Sequence, residues 1–119
     1  MYQLNLDTKP PMPVNNTYRT FILEQLVPLI PLRERRMFGS IGLYTGDVFF
    51  GIISGDTLYL KVDAHNLPDY QAAGSSPFSP YGDERSMSYY AVPIEVQEDR
   101  AELRVWVEKA VDAARRGKK

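Results

Sequence analysis

Residues 35–44 read RRMFGSIGLY and carry the strongest indication of the fold. Most of these side chains are apolar or aromatic, so we predict a single strand across the whole stretch. Gly39 and Gly42 are costly inside a strand, as is Gly51 further on, and they indicate bulges or the close approach of a helix. A backbone surface for a ligand is the alternative at these glycines. The apolar, aromatic and glycine residues of this stretch supply no reactive group. They therefore indicate a fold but give no indication of a catalysed reaction.

Two more strands are expected to follow in a meander. Residues 47–53 are apolar on both faces, which favours a central position in the sheet. Gly46-Asp47 before them is typical of a tight turn. In residues 57–62 the aliphatic side chains point one way, while Tyr59 and Lys61 point the other. This alternation predicts one face packed on a core and one wetter face.

Helices are predicted at both ends of the domain. Asn15 or Asn16 can cap the first helix, whose apolar residues recur at helical spacing until Pro28 removes an amide hydrogen. The last helix is expected to begin after Asp99, since an aspartate followed three positions later by a glutamate resembles a capping box. Arginines in its last turn suit the helix dipole, and Gly117 suits its end.

The segment between the third strand and the last helix is less regular. We expect one or two helical turns over 66–73, a short strand begun by Phe78 and Tyr81, and a strand over 87–92. The result is an α+β domain with a mostly antiparallel five-stranded sheet, in the order α-β-β-β-(short α)-β-β-α. Replacing Trp106 by alanine is expected to cost roughly 3–5 kcal/mol, as for core aromatics. The predicted core comprises Phe21, Leu26, Phe50, Leu60, Leu103 and Trp106.

Composition bounds the class of protein. A chain of 119 residues argues for one domain, and the absence of cysteine excludes disulfides, thiolate metal sites and a cysteine nucleophile. No apolar run approaches the roughly 20 residues that span a bilayer, and residues 1–13 do not resemble a secretory signal, so we expect a cytoplasmic protein. The net charge is +2 over 1–40, −5 over 41–97 and +2 over 98–119. This balance, with a pI of about 5.8, disfavours sequence-specific binding of duplex DNA.

Conventional catalytic groups are scarce in the sequence. His65 is the single histidine, beside Asp63, and a lone loop histidine is more often exposed or loop-bracing than a general base. One histidine without cysteine makes a zinc site improbable, and no serine lies in a Gly-x-Ser-x-Gly setting. We therefore predict no catalytic residues, no metal and no cofactor, and hence not an enzyme.

Candidate contact residues fall into two groups. Arg35 and Arg36, with Arg33, form a basic cluster that suits an anion or a protein partner, or else is a solvated junction partly neutralised by Glu34. The second group lies on strands and consists of aromatic residues and a lysine that either pack or bind. The predicted interaction residues are Arg35, Arg36, Tyr59, Lys61, Tyr89 and Tyr90.

Three motifs occur in order along the chain. They are RMFG at 36–39, LYLK at 58–61 and MSYYAVP at 87–93, and a Trp106-x-x-x-Ala110 helix follows them. Over about residues 17–114 the sequence resembles the N-terminal domain of the TfoX/Sxy family, bacterial proteins linked to the regulation of natural competence. The resemblance implies a short, stand-alone member of that family and carries over no catalytic residue.

Longer family members look like transcriptional co-regulators with a second, C-terminal domain, and this sequence ends at Lys119 without one. We therefore expect a non-catalytic protein-interaction module, related to transcriptional co-regulators, whose partner is another protein or a second copy in a two-fold dimer. Neither direct sequence-specific nucleic-acid binding nor a membrane is expected. The alternative function is a small-ligand or nucleotide sensor with a sheet-face pocket near Arg36. The expected division is an extended arm over 1–14, the domain over 15–116 and a tail over 117–119.

Overall fold

The computed structural model describes residues 14–37, 39–79 and 88–118. The predicted N-terminal arm, apart from its last residue, lies outside these ranges, as does Tyr81. All five strands pair antiparallel with their neighbours in the order β1-β2-β3-β4-β5, which confirms the α+β fold with a helix at each end. In chain order, the elements are α1 (Asn16–Leu26), β1 (Arg33–Met37), β2 (Ser40–Thr45), β3 (Val48–Ser54), β4 (Thr57–Lys61), α2 (Leu67–Ala72), β5 (Tyr89–Ala91), α3 (Ile94–Gln97) and α4 (Arg100–Gly117).

The stretch 35–44 is a hairpin, so its prediction as one continuous strand is wrong. Met37 pairs with Ser40, and Gly39 has φ of +83°, a left-handed conformation that favours glycine. Four of the five strands therefore precede α2. Near Phe78 the chain forms an isolated β-bridge, between Pro77 and Tyr90, instead of the predicted short strand.

The central position predicted for 47–53 is confirmed, because β3 lies between β2 and β4. Its pairing with β2 shifts from Leu43 opposite Gly51 to Tyr44 opposite Phe49, which leaves Phe50 in a bulge. The Phe50 side chain is fully buried in the core. At Gly51 an added Cβ would lie 3.1 Å from Leu60 Cδ2 and 3.2 Å from the Tyr59 carbonyl oxygen, so the close approach at this glycine is that of β4 and not of a helix.

Both long helices pack on one face of the sheet, here called the helical face. Ile22 and Leu26 of α1 and Leu103 and Val107 of α4 belong to one buried cluster with the strand residues that face them. Of the predicted core, Leu26, Phe50, Leu60 and Leu103 are completely buried. Phe21 and Trp106 are only partly buried and pack on the margin of this cluster.

Local capping follows the sequence. The Asn15 side chain accepts a hydrogen bond from the Tyr18 backbone N–H at 2.9 Å, and Asp99 Oδ1 accepts from Ala101 and Glu102 at 3.1 and 3.2 Å. Each cap satisfies amide hydrogens that lack a partner in the first helical turn. The two caps explain why α1 and α4 begin where the sequence predicts. Pro28 explains why α1 ends where it does.

A buried glutamine joins α1 to the segment after β5, a contact that the sequence did not indicate. Gln97 is 3% exposed; its side chain accepts from the Tyr18 hydroxyl at 2.7 Å and donates to the Val92 carbonyl at 2.8 Å. The backbone carbonyl of Gln97 accepts a hydrogen bond from Gln25 Nε2 at 2.8 Å. A buried amide must find such partners, so Gln97 sets the position of α3 against α1.

Candidate interaction surface

The sheet face away from the long helices carries a second apolar cluster, here called the aromatic face. Ile52 at its centre is fully buried. Around it, Tyr44 and Phe49 stack with ring centroids 5.0 Å apart, and Phe49 lies 5.1 Å from Tyr89. Such offset and tilted pairs stabilise one another and leave ring edges at the surface. The aromatic face comprises Tyr44, Phe49, Ile52, Tyr59, Phe78 and Tyr89.

Cations border the aromatic face. The Arg33 guanidinium lies 5.0 Å from the centre of the Tyr44 ring, and Lys61 Nζ lies 5.2 Å from that of Tyr89. Lys61 also donates to the Ser88 hydroxyl at 2.7 Å, a neutral partner. Arg35 is exposed and, through its pairing opposite Gly42, belongs to the same face. The rim of this face is therefore positively charged.

The six predicted interaction residues do not share one surface. Arg35, Tyr59, Lys61 and Tyr89 lie on the aromatic face. Successive strand residues point to opposite faces of the sheet. Arg36 follows Arg35 and Tyr90 follows Tyr89, so Arg36 and Tyr90 lie on the helical face. There Arg36 pairs with Ile41, and Tyr90 pairs with Leu60.

Tyr90 is a packing residue on the helical face. Its ring centroid lies 5.9 Å from that of Tyr70, which in turn makes an edge-on contact with Trp106 at 4.7 Å. Tyr70 is 1% exposed, and its hydroxyl has no hydrogen-bond partner among the residues that the structure describes. These three aromatic rings seal the space between β5, α2 and α4.

The Tyr59 and Tyr89 hydroxyls of the aromatic face remain neutral at physiological pH. Burial raises the pKa of both hydroxyls above the ordinary value. The Tyr89 hydroxyl donates to the Phe49 carbonyl at 3.3 Å. Positive charge on this face therefore comes from its arginine and lysine residues, while Asp56 brings a negative charge near Tyr59.

The two edges of the sheet differ. The outer side of β5 is covered, since Phe78 N–H donates to the Tyr89 carbonyl at 2.7 Å and Ala91 N–H donates to the Ser76 carbonyl at 3.0 Å. At the other edge, β1 forms no backbone hydrogen bond on its outer side with any residue in the described ranges. Glu34 of β1 is held by Arg19 through two hydrogen bonds of 2.6 and 2.8 Å.

An open cleft of about 230 Å³ lies where α4 reaches the end of the sheet. An ion pair of 2.9 Å between Lys118 Nζ and Asp47 Oδ2 borders it. Arg36 lies near the other end of the strands, next to the pair of Met37 and Ser40, and does not line this cleft. The lining residues are Asp47, Val48, Phe49, Lys61, Tyr89, Ala114, Gly117 and Lys118.

The single histidine lies away from these surfaces. His65 has a side chain 70% exposed, and its Nδ1 is 3.5 Å from Asp63 Oδ1. The Asp63 carboxylate accepts two hydrogen bonds from Arg116, at 2.7 and 3.0 Å, and the hydrogen bond from Arg116 is the main reason that the pKa of Asp63 falls to about 2. Within the described ranges, no three side chains of the His, Cys, Asp and Glu types are grouped as a metal site would require.

Among the described helices, none combines the length and apolar character needed to cross a membrane. A comparison with curated proteins finds no match to this sequence. The family model described as the TfoX N-terminal domain matches residues 24–114, a range that includes all five strands and most of α4. The chain therefore belongs to the TfoX N-terminal domain family.

Proposed function

We propose that this domain is a non-catalytic protein-interaction module located in the cytoplasm. It acts as a transcriptional co-regulator and binds its protein partner through the aromatic face. The observation that carries the proposal is a sheet face with half-exposed rings and a positively charged rim, separate from the helix-covered core. Tyrosine and arginine are enriched at protein interfaces, where they supply large contact areas and directional hydrogen bonds.

The chemistry of the remaining side chains supports a non-catalytic role. A general base requires a positioned partner within hydrogen-bond reach of the reacting group. His65 is mostly exposed, and the carboxylate beside it, Asp63, is already bound by Arg116. The aromatic face carries cations and the neutral hydroxyls of Tyr59 and Tyr89, and among its described residues no nucleophile lies beside a base.

Charge favours a different protein over a second copy of this chain. A two-fold contact through the aromatic face would bring Arg33, Arg35 and Lys61 of two copies together, and like charges in an interface disfavour association. An acidic surface on another protein would instead complement this rim. The acidic middle of the chain and its pI of about 5.8 disfavour duplex DNA as the direct ligand.

Affinity measurements on paired variants test the proposal. Partners are first captured from the native cell by the immobilised domain, then purified and titrated by calorimetry. The double variant Arg35→Gln with Lys61→Gln should weaken binding at least tenfold. The control, Arg104→Gln with Lys109→Gln, removes the same charge from exposed positions on α4 and should leave the affinity unchanged. Equal affinities for wild type and both folded variants would exclude the aromatic face as the contact surface.

A small-ligand or nucleotide sensor is the second candidate, and the cleft beside Lys61 is the observation that favours it. Phe49 and Tyr89 give this cleft an aromatic wall, and Lys61 offers a positive charge. Its volume of about 230 Å³ is below the roughly 300–1,000 Å³ of typical ligand sites, which makes enclosure of a nucleotide unfavourable. Native mass spectrometry of the protein purified from its own cell tests this function: a bound molecule lost in Lys61→Gln would favour the sensor over the module.

A further inference from the structure

We propose that the outer side of β1, here called the β1 edge, binds an extended acidic segment of the partner as an added strand. This inference rests on the proposed interaction function and names the chemistry of the partner. A terminal strand presents a row of backbone N–H and C=O groups that can template another strand. Recognition by strand addition draws affinity from those backbone groups and specificity from alternate side chains.

Backbone hydrogen bonds at the two edges of the sheet indicate which edge can accept an added strand among the described residues. Residues 76–78 already supply backbone hydrogen bonds to the outer side of β5. The β1 edge, Arg33–Met37, pairs only with β2 within the part of the chain that the structure describes. In an antiparallel pair, every second residue of an edge strand points its peptide groups away from its partner strand. An incoming chain can therefore hydrogen-bond to the β1 edge without displacing any described residue.

The charge of β1 selects the sign of the partner. Its three arginines are exposed, and Arg35 and Arg36 make no ion pair with a described residue. The one acidic residue of the strand, Glu34, is bound by Arg19 of α1. Among the described residues the β1 edge is consequently a strip of positive charge, although the whole chain has a net charge of −1.

The positions of the arginines define a sequence pattern for the ligand. Residues directly opposite each other in a sheet share a face, so an added strand would meet Arg33 and Arg35 on the aromatic side and Arg36 on the helical side. Acidic residues two positions apart would face Arg33 and Arg35. The expected ligand is therefore a β-prone segment with glutamate or aspartate at positions i and i+2.

The same charges disfavour a second copy of this chain at the β1 edge. Two β1 strands side by side would each contribute three arginines and one glutamate that is already neutralised. Like charges on adjacent strands destabilise pairing, and edge charges of this kind suppress self-association of sheets. The arginines thus discriminate between self-pairing and an acidic strand from another protein.

A synthetic peptide tests the inference directly. The probe is a labelled, end-capped nine-residue peptide in which glutamate alternates with valine or threonine, titrated against the full chain by fluorescence anisotropy at low and high salt. We expect saturable binding that weakens as salt rises, because exposed charges are screened. A lysine version of the peptide should not bind, and a glutamate version with a central proline should bind at least tenfold more weakly, since proline cannot donate to a ladder.

Variants and amide mapping locate the peptide. Arg35→Gln with Arg36→Gln should weaken peptide binding at least tenfold, whereas the α4 control Arg104→Gln with Lys109→Gln should leave it unchanged. In 15N spectra the largest shifts should fall on amides of Arg33–Met37. Absence of binding at millimolar peptide, equal binding of the lysine or proline peptide, or shifts outside β1 would overturn the inference.

The outcome separates this inference from the proposed function. If the native partner binds but Arg36→Gln, which lies off the aromatic face, leaves its affinity unchanged, the β1 edge is not used and the aromatic face remains the contact surface. If the native partner is weakened by Arg36→Gln but not by Lys61→Gln, which lies off the β1 edge, the edge inference stands and the assignment of the aromatic face fails.

Discussion

The two faces of one sheet use the same five strands differently. On the helical face, aliphatic side chains and Phe50 are completely buried beneath α1 and α4. On the aromatic face, Tyr44, Phe49 and Tyr59 are half-buried, and cations border their rings. Because side chains alternate along a strand, one set of residues builds stability while the next set forms a surface with polar and charged tips. The comparison predicts that the two faces respond differently to mutation.

The largest effect is expected from removing a ring from each face. Phe50→Ala should lower the free energy of unfolding by roughly 3–5 kcal/mol, because the ring is completely buried and leaves a cavity. Tyr59→Ala should cost about 1–2 kcal/mol, since its ring is half-exposed and loses mainly its contact with Phe78, at 4.8 Å between centroids. Urea denaturation followed by circular dichroism measures both. Equal costs would mean that the aromatic face is a second core and not a surface.

Trp106 lies at the margin of the helical face and should have an intermediate effect. Its partial burial, with an edge-on contact to Tyr70, lowers the expected cost of Trp106→Ala to about 2–3 kcal/mol, below the roughly 3–5 kcal/mol of a fully buried aromatic residue. The same denaturation experiment checks this value. An unchanged melting temperature would contradict the packing of α4 against α2.

Two hydroxyl deletions sharpen the comparison further. Tyr89→Phe on the aromatic face should cost about 0.5–1.5 kcal/mol, because the hydroxyl loses its bond to the Phe49 carbonyl. Tyr70→Phe should be neutral or stabilising by up to about 1 kcal/mol, because its buried hydroxyl has no partner among the described residues. Calorimetric melting of the two variants beside wild type distinguishes them. A destabilised Tyr70→Phe would show that this hydroxyl has a partner after all.

The smallest effect concerns pH and the link between α4 and the sheet. The hydrogen bonds from Arg116 hold the pKa of Asp63 at about 2, below the roughly 3.9 of an unfolded chain. The stabilisation from this pair is therefore present above about pH 4 and is lost as the pH falls towards 2. The difference in stability between wild type and Asp63→Asn, measured by urea titration from pH 7 to pH 2.5, should shrink over that window. Because both side chains are partly exposed, the difference should be small and should decrease in salt.

Local features of the sequence were sufficient for much of this fold. The alternation in 57–62 correctly placed Tyr59 and Lys61 away from the helices, and Asn15 and Asp99 correctly marked the first turns of α1 and α4. These features depend on neighbouring residues, through side-chain periodicity and hydrogen bonds to nearby amides. The hairpin within 35–44 was missed because glycine in an apolar run is compatible with either a bulge or a turn.

The candidate surface could not be predicted from the sequence, because it depends on how distant segments of the chain are arranged. Period-two alternation separates Arg35 from Arg36, but only strand order makes β1 the edge and places residues 76–78 against β5. The same holds for Gln97 between Tyr18 and Gln25, and for Arg116 on Asp63. No residue close to them in the sequence specifies these partners, because the partners come into contact only when the helices pack on the sheet. The sequence by itself thus determined the elements, their caps and the alternation of their faces. Tertiary packing alone decided which edge is unpaired within the described ranges and which polar groups are joined, because both depend on contacts between residues far apart in the chain.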